Sequence, residues 1–137
     1  MTKSSPINIR LEHSDLNEVK KLAKMFRLPL STILNQLITE SIKTFYCPGI
    51  IFTNSPIGIR RATVAGTGLD VWELINIYKS YKAEKKLLKD YPLTHAQLSA
   101  ALNYYSLYKD EIDEEIKEND ELEESLISNK LITKFSI

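Results

Sequence analysis

The sequence predicts a mainly α-helical protein with one short strand near its N-terminus and a long acidic helix near its C-terminus. Three observations support this fold class. Apolar residues recur at helical spacing over most of the chain, two capping-box patterns mark helix starts, and a period-two alternation near the N-terminus is typical of a strand. The 137 residues are 43% hydrophobic and 26% charged, which is the composition of a globular chain with one ordinary core or two small ones.

The composition gives little support for a metal site, a cofactor or enzyme chemistry. Cys47 is the only cysteine, and His13 and His95 are the only histidines, so a structural zinc site has too few of its usual ligands. No nucleophile–base pair stands out, and a non-enzymatic protein is therefore expected. The first ten residues, MTKSSPINIR, lack the apolar run of a signal peptide, and the sequence contains no membrane span, so we expect a cytoplasmic protein.

The net charge of zero conceals a strong asymmetry along the chain. Residues 1–109 hold 15 basic and 8 acidic residues, a net charge of +7, whereas residues 110–137 hold 3 basic and 10 acidic residues, a net charge of −7. This division predicts a basic body that meets a polyanion and an acidic arm with a separate role. A solvated helix face is the alternative interpretation of the acidic run.

The first 46 residues predict the order strand, helix, helix. Around residues 7–11, apolar side chains alternate with Asn8 and Arg10, as in a short strand with one apolar face. Such a strand needs a partner for its edge and for its apolar side, and an identical strand from a second copy is the simplest one. The apolar positions of the two helices are Leu16, Val19, Leu22, Ala23 and Phe26, then Ile33, Leu34, Leu37, Ile38, Ile42 and Phe45.

This order resembles the ribbon-helix-helix family, in which two chains pair their strands and place the ribbon in the DNA major groove. The resemblance covers about residues 5–46 and implies a DNA-binding and dimerisation domain over residues 1–46. Arg and Asn side chains suit base readout, because Arg bonds bidentately to guanine and Asn to adenine. The residues that the resemblance assigns to DNA are Lys3, Asn8 and Arg10 on the strand, and Ser31 and Thr32 at the start of the second helix. A solvated face of an edge strand is the alternative.

Residues 47–69 hold all four glycines and two of the five prolines, and they predict a linker with extended segments. Gly66 and Gly68 lack the third glycine or the lysine of a phosphate-binding loop. Asp70 would also repel a phosphate at that helix start. Asp70 and Glu73 instead fit a capping box, so the two glycines predict a tight bend into a helix.

Residues 70–109 predict a helix-turn-helix-like domain of three helices. Trp72 to Tyr81 form the first helix, a short helix follows at about residues 83–89, and Thr94 with Gln97 fits a capping box for the third. If this domain also contacts DNA, the start of the third helix is its reading edge. The candidates for this second DNA contact are Arg60, Arg61, His95, Gln97 and Ser99. A helix that only packs on its neighbours or on a dimer mate fits the same residues.

Three runs in this region are similar to the domain-of-unknown-function 433 family, over roughly residues 58–120. The runs are RATVAGTGLDVW from Arg61, LKDYPLT from Leu88, and LSAALNYY from Leu98. Members of this family are small bacterial and archaeal proteins taken to be antitoxins of type II toxin-antitoxin pairs. The resemblance implies a helix-turn-helix-like fold and a PIN-like ribonuclease toxin as the partner.

Residues 110–137 predict an acidic amphipathic helix followed by an apolar tail, a candidate toxin-binding arm. The residues expected to bind the toxin are Lys130, Leu131, Ile132, Lys134 and Phe135. Together these features predict an antitoxin that neutralises the toxin by direct binding and represses its own operon by binding operator DNA as a homodimer. The alternative is a stand-alone transcriptional regulator whose C-terminal domain mediates oligomerisation.

Overall fold

The computed structural model describes residues 4–54 and 59–128, and this part of the chain contains six α-helices and two β-strands. The mainly α-helical fold class is thereby confirmed. The chain divides into two compact units, residues 1–43 and residues 44–137. The second unit takes in the segments that the sequence analysis separates into a linker, a helical domain and an acidic arm.

The N-terminal unit is built from two consecutive helices, as predicted. Helix α1 spans His13–Phe26, and helix α2, which runs on into the second unit, spans Leu30–Tyr46. Arg27 ends α1 in the left-handed conformation with φ 55°. The N–H of Leu28 donates to the carbonyl of Ala23 at 3.0 Å and closes the last turn of the helix.

The predicted N-terminal strand is not formed within the single chain. Residues 4–12 have no strand assignment, and the side chains of Ile7 and Ile9 are 81% and 58% exposed. A strand is defined by hydrogen bonds to a neighbouring strand. For this segment, the neighbouring strand is expected to come from a second copy of the chain. The paired ribbon therefore stays a prediction.

The segment interpreted as a linker contributes a β-hairpin to the second unit. Strand β1 (Ile50–Asn54) pairs antiparallel with strand β2 (Arg60–Val64), and Phe52 lies opposite Ala62. Ile50, Ala62 and Val64 are each 1% exposed. One face of the hairpin thus belongs to the hydrophobic core. The glycine and proline content predicts a linker here, and the segment instead forms a hairpin because its apolar residues are buried.

Four helices complete the second unit, and both predicted capping boxes are present. The helices are α3 (Val71–Tyr81), α4 (Glu84–Asp90), α5 (His95–Leu107) and α6 (Lys109–Ser128). Asp70 with Glu73 begins α3, and Thr94 with Gln97 begins α5. The backbone N–H of Gln97 donates to Thr94 Oγ1 at 3.1 Å, which satisfies one of the unpaired donors at the start of α5.

The core of the second unit lies between the hairpin and the helices. Its fully buried side chains come from every element of the unit: Cys47, Ile50, Ala62, Val64, Val71, Leu74, Ile75, Leu87, Leu98, Ala101, Tyr104 and Ile112. Because Ile112 of α6 has no exposed surface, the first half of the acidic helix is part of this domain and not a separate arm. Farther along α6, Leu122 and Ile127 are 56% and 43% exposed.

Of the helices in the described ranges, none combines the length and the apolar character that crossing a membrane requires.

Candidate nucleic-acid interface

Asn8 and Arg10 lie in the extended segment that precedes α1, and both side chains are exposed. Lys3, the third residue assigned to this surface, lies outside the described residues. Because neither described side chain is covered within the chain, the segment presents an amide and a guanidinium to solvent. These are the two side-chain types that pair bidentately with adenine and guanine.

Ser31 and Thr32 lie in the first turn of α2, which begins one residue before the predicted start. Both side chains are exposed. The N–H of Ile33 donates to the carbonyl of Pro29 at 3.2 Å and begins the hydrogen bonding of the helix. The N–H groups of Ser31 and Thr32 precede that first bond, and such groups at a helix start are suited to an anion such as a DNA phosphate.

Arg61, a candidate for the second DNA contact, lies in an ion pair with the acidic helix. Its Nη1 lies 3.1 Å from Glu115 Oε1, its Nη2 lies 3.8 Å from Glu118 Oε2, and the Arg61 and Glu115 side chains are only 14% and 12% exposed. Burial raises the pKa of Glu115 above its ordinary value, although the neighbouring guanidinium acts in the opposite direction. The Arg61 guanidinium is thus directed at α6 and has little surface left for a phosphate.

Arg60, the neighbouring candidate, reaches across the hairpin. Its Nη1 donates to Asn54 Oδ1 at 3.4 Å, and these two residues face each other in the strand register. The side chain is partly exposed. The structure therefore separates two adjacent arginines that the sequence analysis groups together, since they point to opposite faces of strand β2.

At the start of α5, the predicted reading edge, Gln97 forms hydrogen bonds within the domain and His95 contacts α4. Gln97 Oε1 accepts from the Thr94 N–H at 2.9 Å, and Gln97 Nε2 donates to the Ala65 carbonyl at 3.4 Å. His95 Nδ1 contacts Glu84 Oε1, and its Nε2 lies 3.4 Å from Ser99 Oγ. Gln97 therefore joins α5 to the glycine turn, whereas His95 and Ser99 remain exposed on the surface.

A polar network at the start of α3 was not predicted from the sequence. Asp70 Oδ1 accepts from the Thr63 hydroxyl at 3.3 Å, and Asp70 Oδ2 accepts from Trp72 Nε1 at 3.1 Å. Thr63 Oγ1 also lies 2.7 Å from Thr53 Oγ1 on the adjacent strand. Both carboxylate oxygens of Asp70 thus face donors of the domain itself, and the network ties the hairpin to α3.

Gly66 and Gly68 form the predicted bend and have φ values of +81° and +71°. A side chain at either position would hold the backbone in the left-handed region that favours glycine. The tight turn and the Asp70 cap account for both glycines. The glycine turn thus has a structural role, because it connects β2 to α3.

A second cluster joins three helices around one carboxylate. Asp113 of α6 accepts from Tyr105 at 2.7 Å and from Lys109 at 2.6 Å, and Lys79 of α3 lies 3.5 Å away. The hydrogen bond from Lys109, followed by that from Tyr105, lowers the pKa of Asp113 to about 2. The spacing of Lys109 and Asp113 at i and i+4 is a signal that the sequence does contain.

Tyr104 is the largest fully buried side chain of the domain, and its hydroxyl donates to Glu111 Oε2. Burial, together with this carboxylate, raises the pKa of Tyr104 above its ordinary value. The phenol is therefore a neutral donor that fixes α5 against α6.

Two further predictions concern metal binding and the C-terminal tail. Over the described ranges, no three or more His, Cys, Asp or Glu side chains are grouped in a way that could hold a metal ion. The predicted toxin-binding residues Lys130, Leu131, Ile132, Lys134 and Phe135 all lie outside the described residues.

Comparison with known proteins gives one finding. Residues 53–105 match the model of a family described as Protein of unknown function (DUF433). The match runs from the last two residues of β1 to near the end of α5 and includes β2, the glycine turn and both capping boxes. The chain matches no curated protein and no solved structure. The second unit thus contains a segment similar to the DUF433 family, over less than half of the chain.

Proposed function

We propose that the protein is a DNA-binding antitoxin. In this proposal two copies associate through their N-terminal units and bind operator DNA through Asn8 and Arg10. The C-terminal part binds and silences a PIN-like ribonuclease toxin. The observation that carries the proposal is the N-terminal unit: among its described residues Ile33 alone is buried, and its extended segment presents side chains suited to base readout.

The burial pattern of the N-terminal unit supports association of two copies. Among its described residues, Ile33 alone is buried, at 4% exposure. The large apolar side chains left exposed are Ile7, Ile9, Met25, Phe26, Leu28, Leu37, Ile38 and Ile42. Burying one such side chain contributes roughly 1.5–3 kcal/mol, so leaving this many in water is unfavourable. A second copy covers them and supplies the missing strand partner at the same time.

The distal half of α6 supports a protein partner for the C-terminal part. Leu122 and Ile127 are exposed there, among five exposed carboxylates: Glu118, Asp120, Glu121, Glu123 and Glu124. A ribonuclease attracts RNA through basic surface, and an acidic helix is complementary to such a surface. Residues 53–105 match a family described only as a protein of unknown function, so the antitoxin role rests on the resemblance given under Sequence analysis.

Co-expression with the product of the neighbouring gene tests the proposal. The full chain is expected to restore growth in the presence of a PIN-like toxin and to purify in complex with it. A chain ending at residue 128 should lose this protection, because it lacks the tail assigned to the toxin. Arg10→Ala should retain it, since Arg10 is assigned to DNA. Failure of the full chain to protect or to co-purify would refute the toxin-binding part.

A stand-alone regulator is the second candidate, and the exposed Leu122 and Ile127 are the observation that favours it. In that case the distal half of α6 joins copies of this chain to one another. Leu122→Asp should then lower the molecular mass measured by light scattering, and no neighbouring gene product should co-purify. If Leu122→Asp abolishes toxin binding at unchanged mass, the antitoxin is favoured.

A further inference from the structure

The end of α3 and the exposed side of α4 carry four lysines within eight residues. We call Lys82, Lys85, Lys86 and Lys89 the lysine face. Lys82 ends α3 in the left-handed conformation with φ 59°, and the other three lie on α4. All four side chains are exposed. No motif in the sequence gives these four lysines a role.

The packing of α4 explains why its lysines share one surface. Leu87 is fully buried and Leu88 is partly buried, so one side of this seven-residue helix faces the core. Lys89 follows Lys85 by four residues and Lys86 by three, and side chains at these spacings are neighbours on a helix surface. The helix is about 10 Å long, so its three positive charges are held close together.

The lysine face has no carboxylate partner in the part of the chain that the structure describes. Two acids lie nearby in sequence, but Glu84 contacts His95 on α5, and Asp90 accepts from the Tyr81 hydroxyl at 2.9 Å. By contrast, Lys79 and Lys109 share Asp113. Neither acid forms an ion pair with these lysines, and the four ammonium groups and two carboxylates of residues 82–90 leave this surface with a net charge of +2.

The chemistry of this surface fits the phosphate backbone of duplex DNA. Lysine is a compact point charge that suits phosphate oxygens and lacks the planar fork that reads guanine. Binding of single strands also needs open aromatic faces on which bases stack. The adjacent Tyr81 and Tyr91 pack edge to face on each other at 5.8 Å, and Lys86 Nζ lies 5.8 Å from the centre of the Tyr81 ring. These rings are engaged with their own neighbours, which favours duplex over single-stranded nucleic acid.

We propose that the lysine face is a second DNA contact, which binds the phosphates of duplex DNA independently of base sequence. The inference rests on the proposed operator binding and adds to it a different surface from the predicted reading edge of α5. It assigns the DNA affinity of the second unit to lysines and not to Arg61 or Gln97, whose polar groups already have partners inside the domain.

The test compares two fourfold variants of the full chain. In one, Lys82, Lys85, Lys86 and Lys89 are all replaced by Gln, and in the other, the matched control, by Arg. Affinity for the upstream operator and for a random duplex of equal length is measured over a range of KCl concentrations. Each phosphate contact contributes about −0.9 to the slope of log K against log salt, so the Gln variant should reduce the magnitude of the slope by up to about 3.6 for each bound chain.

The affinity of the Gln variant should fall about tenfold or more on both duplexes, and the Arg variant should bind as the wild type does. The ratio of operator to random-duplex affinity should stay the same. An unchanged slope in a Gln variant with wild-type circular dichroism would overturn the inference. A fall in affinity that accompanies a lower molecular mass in light scattering would also overturn it, because the lysines would then bind the acidic helix of a second copy.

The same measurements separate this inference from the proposed function. If the wild type prefers the operator and the Gln variant matches it in affinity and slope, only the lysine face is refuted. If the wild type binds both duplexes equally and the Gln variant loses that binding, the lysine face stands and operator recognition is refuted. Wild-type protein that binds neither duplex would refute both.

Discussion

Arg61 and Glu115 form a mostly buried ion pair, in which each charge needs the other. The guanidinium comes from strand β2 and the carboxylate from α6, and the two side chains are only 14% and 12% exposed at a separation of 3.1 Å. A mostly buried charge is costly to leave without its counter-charge. The pair therefore fastens the acidic helix to the hairpin.

Arg61→Ala should lower the free energy of unfolding by about 3 kcal/mol at neutral pH, because it leaves the Glu115 carboxylate buried and unpaired. Urea denaturation followed by circular dichroism measures the loss. The double variant Arg61→Ala with Glu115→Gln should recover much of it, since the unpaired charge is gone. An Arg61→Ala protein as stable as the wild type would show that the ion pair contributes nothing.

The same variant should respond to pH in a defined direction. The pKa of Glu115 is raised in the folded protein, so the folded state takes up this proton more readily than the unfolded state. The Arg61 guanidinium lowers the pKa of Glu115, so its removal raises that pKa further. The stability difference between wild type and Arg61→Ala should therefore shrink as the pH falls from neutral towards the pKa of Glu115. A difference that grows on acidification would contradict the assignment.

Asp113 should show the opposite pH dependence. Its pKa is lowered from 3.8 to about 2, so the folded state favours the ionised carboxylate. The stabilisation by Asp113 is present above the ordinary pKa and is lost as the pH falls through the folded value. Asp113→Asn should be less stable than the wild type at neutral pH, and the two should converge towards about pH 2. Equal stability at neutral pH would contradict the role of this cluster.

At the scale of elements, the turn between β2 and α3 sets how the hairpin meets the helices. Gly66 and Gly68 both have positive φ, but their surroundings differ. A Cβ at Gly66 would lie 3.2 Å from Gln97 Nε2, whereas a Cβ at Gly68 would meet nothing within 4 Å. Gln97 is the residue that joins α5 to this turn, so only Gly66 is constrained by both conformation and contact.

Gly66→Ala should therefore destabilise the protein more than Gly68→Ala. The left-handed conformation costs about 1 kcal/mol for alanine at either position, and the crowded Gln97 amide adds to the cost at Gly66. Thermal unfolding of the two variants beside the wild type measures the difference. If Gly68→Ala were the less stable variant, the contact between the turn and α5 would not contribute to stability.

The elements that the sequence predicts well are those specified by neighbouring residues. Asp70 with Glu73, and Thr94 with Gln97, mark the starts of α3 and α5 because a capping box needs only residues three apart. The hairpin is missed because the glycines and prolines around its strands indicate a linker, while its burial depends on helices far along the chain. The contact of Arg61 with Glu115 joins residues 54 positions apart, and no local pattern indicates it.

At the scale of the whole molecule, two units differ in how completely they bury their apolar residues. The described part of residues 44–137 contains a core of twelve fully buried side chains, whereas that of residues 1–43 buries Ile33 alone. The candidate base-reading residues Asn8 and Arg10 were identified by alternation in sequence. The lysine face was not, because its lysines follow no motif and the contacts of the nearby acids Glu84 and Asp90 are seen only in the structure.

Association of two copies should depend on the exposed apolar side of α2. Ile38 and Ile42 are each 50% exposed, and Ile38→Asp would place a charge among the side chains that a second copy covers. We expect this variant to be monomeric in light scattering and to lose operator binding. Thr39→Asp, which adds the same charge at an exposed neighbouring position, is the control and should stay dimeric. A dimeric Ile38→Asp protein would place the interface elsewhere.

Operator binding by Arg10 variants, measured against a random duplex of equal length, tests whether the N-terminal segment reads DNA. Arg10→Ala should lose affinity for the operator by about 1–3 kcal/mol if one bidentate base contact is removed. Arg10→Lys should keep affinity for the random duplex but lose preference for the operator, because lysine retains the charge without the planar fork. If both variants bind the operator as tightly and as selectively as the wild type, the N-terminal segment does not read DNA.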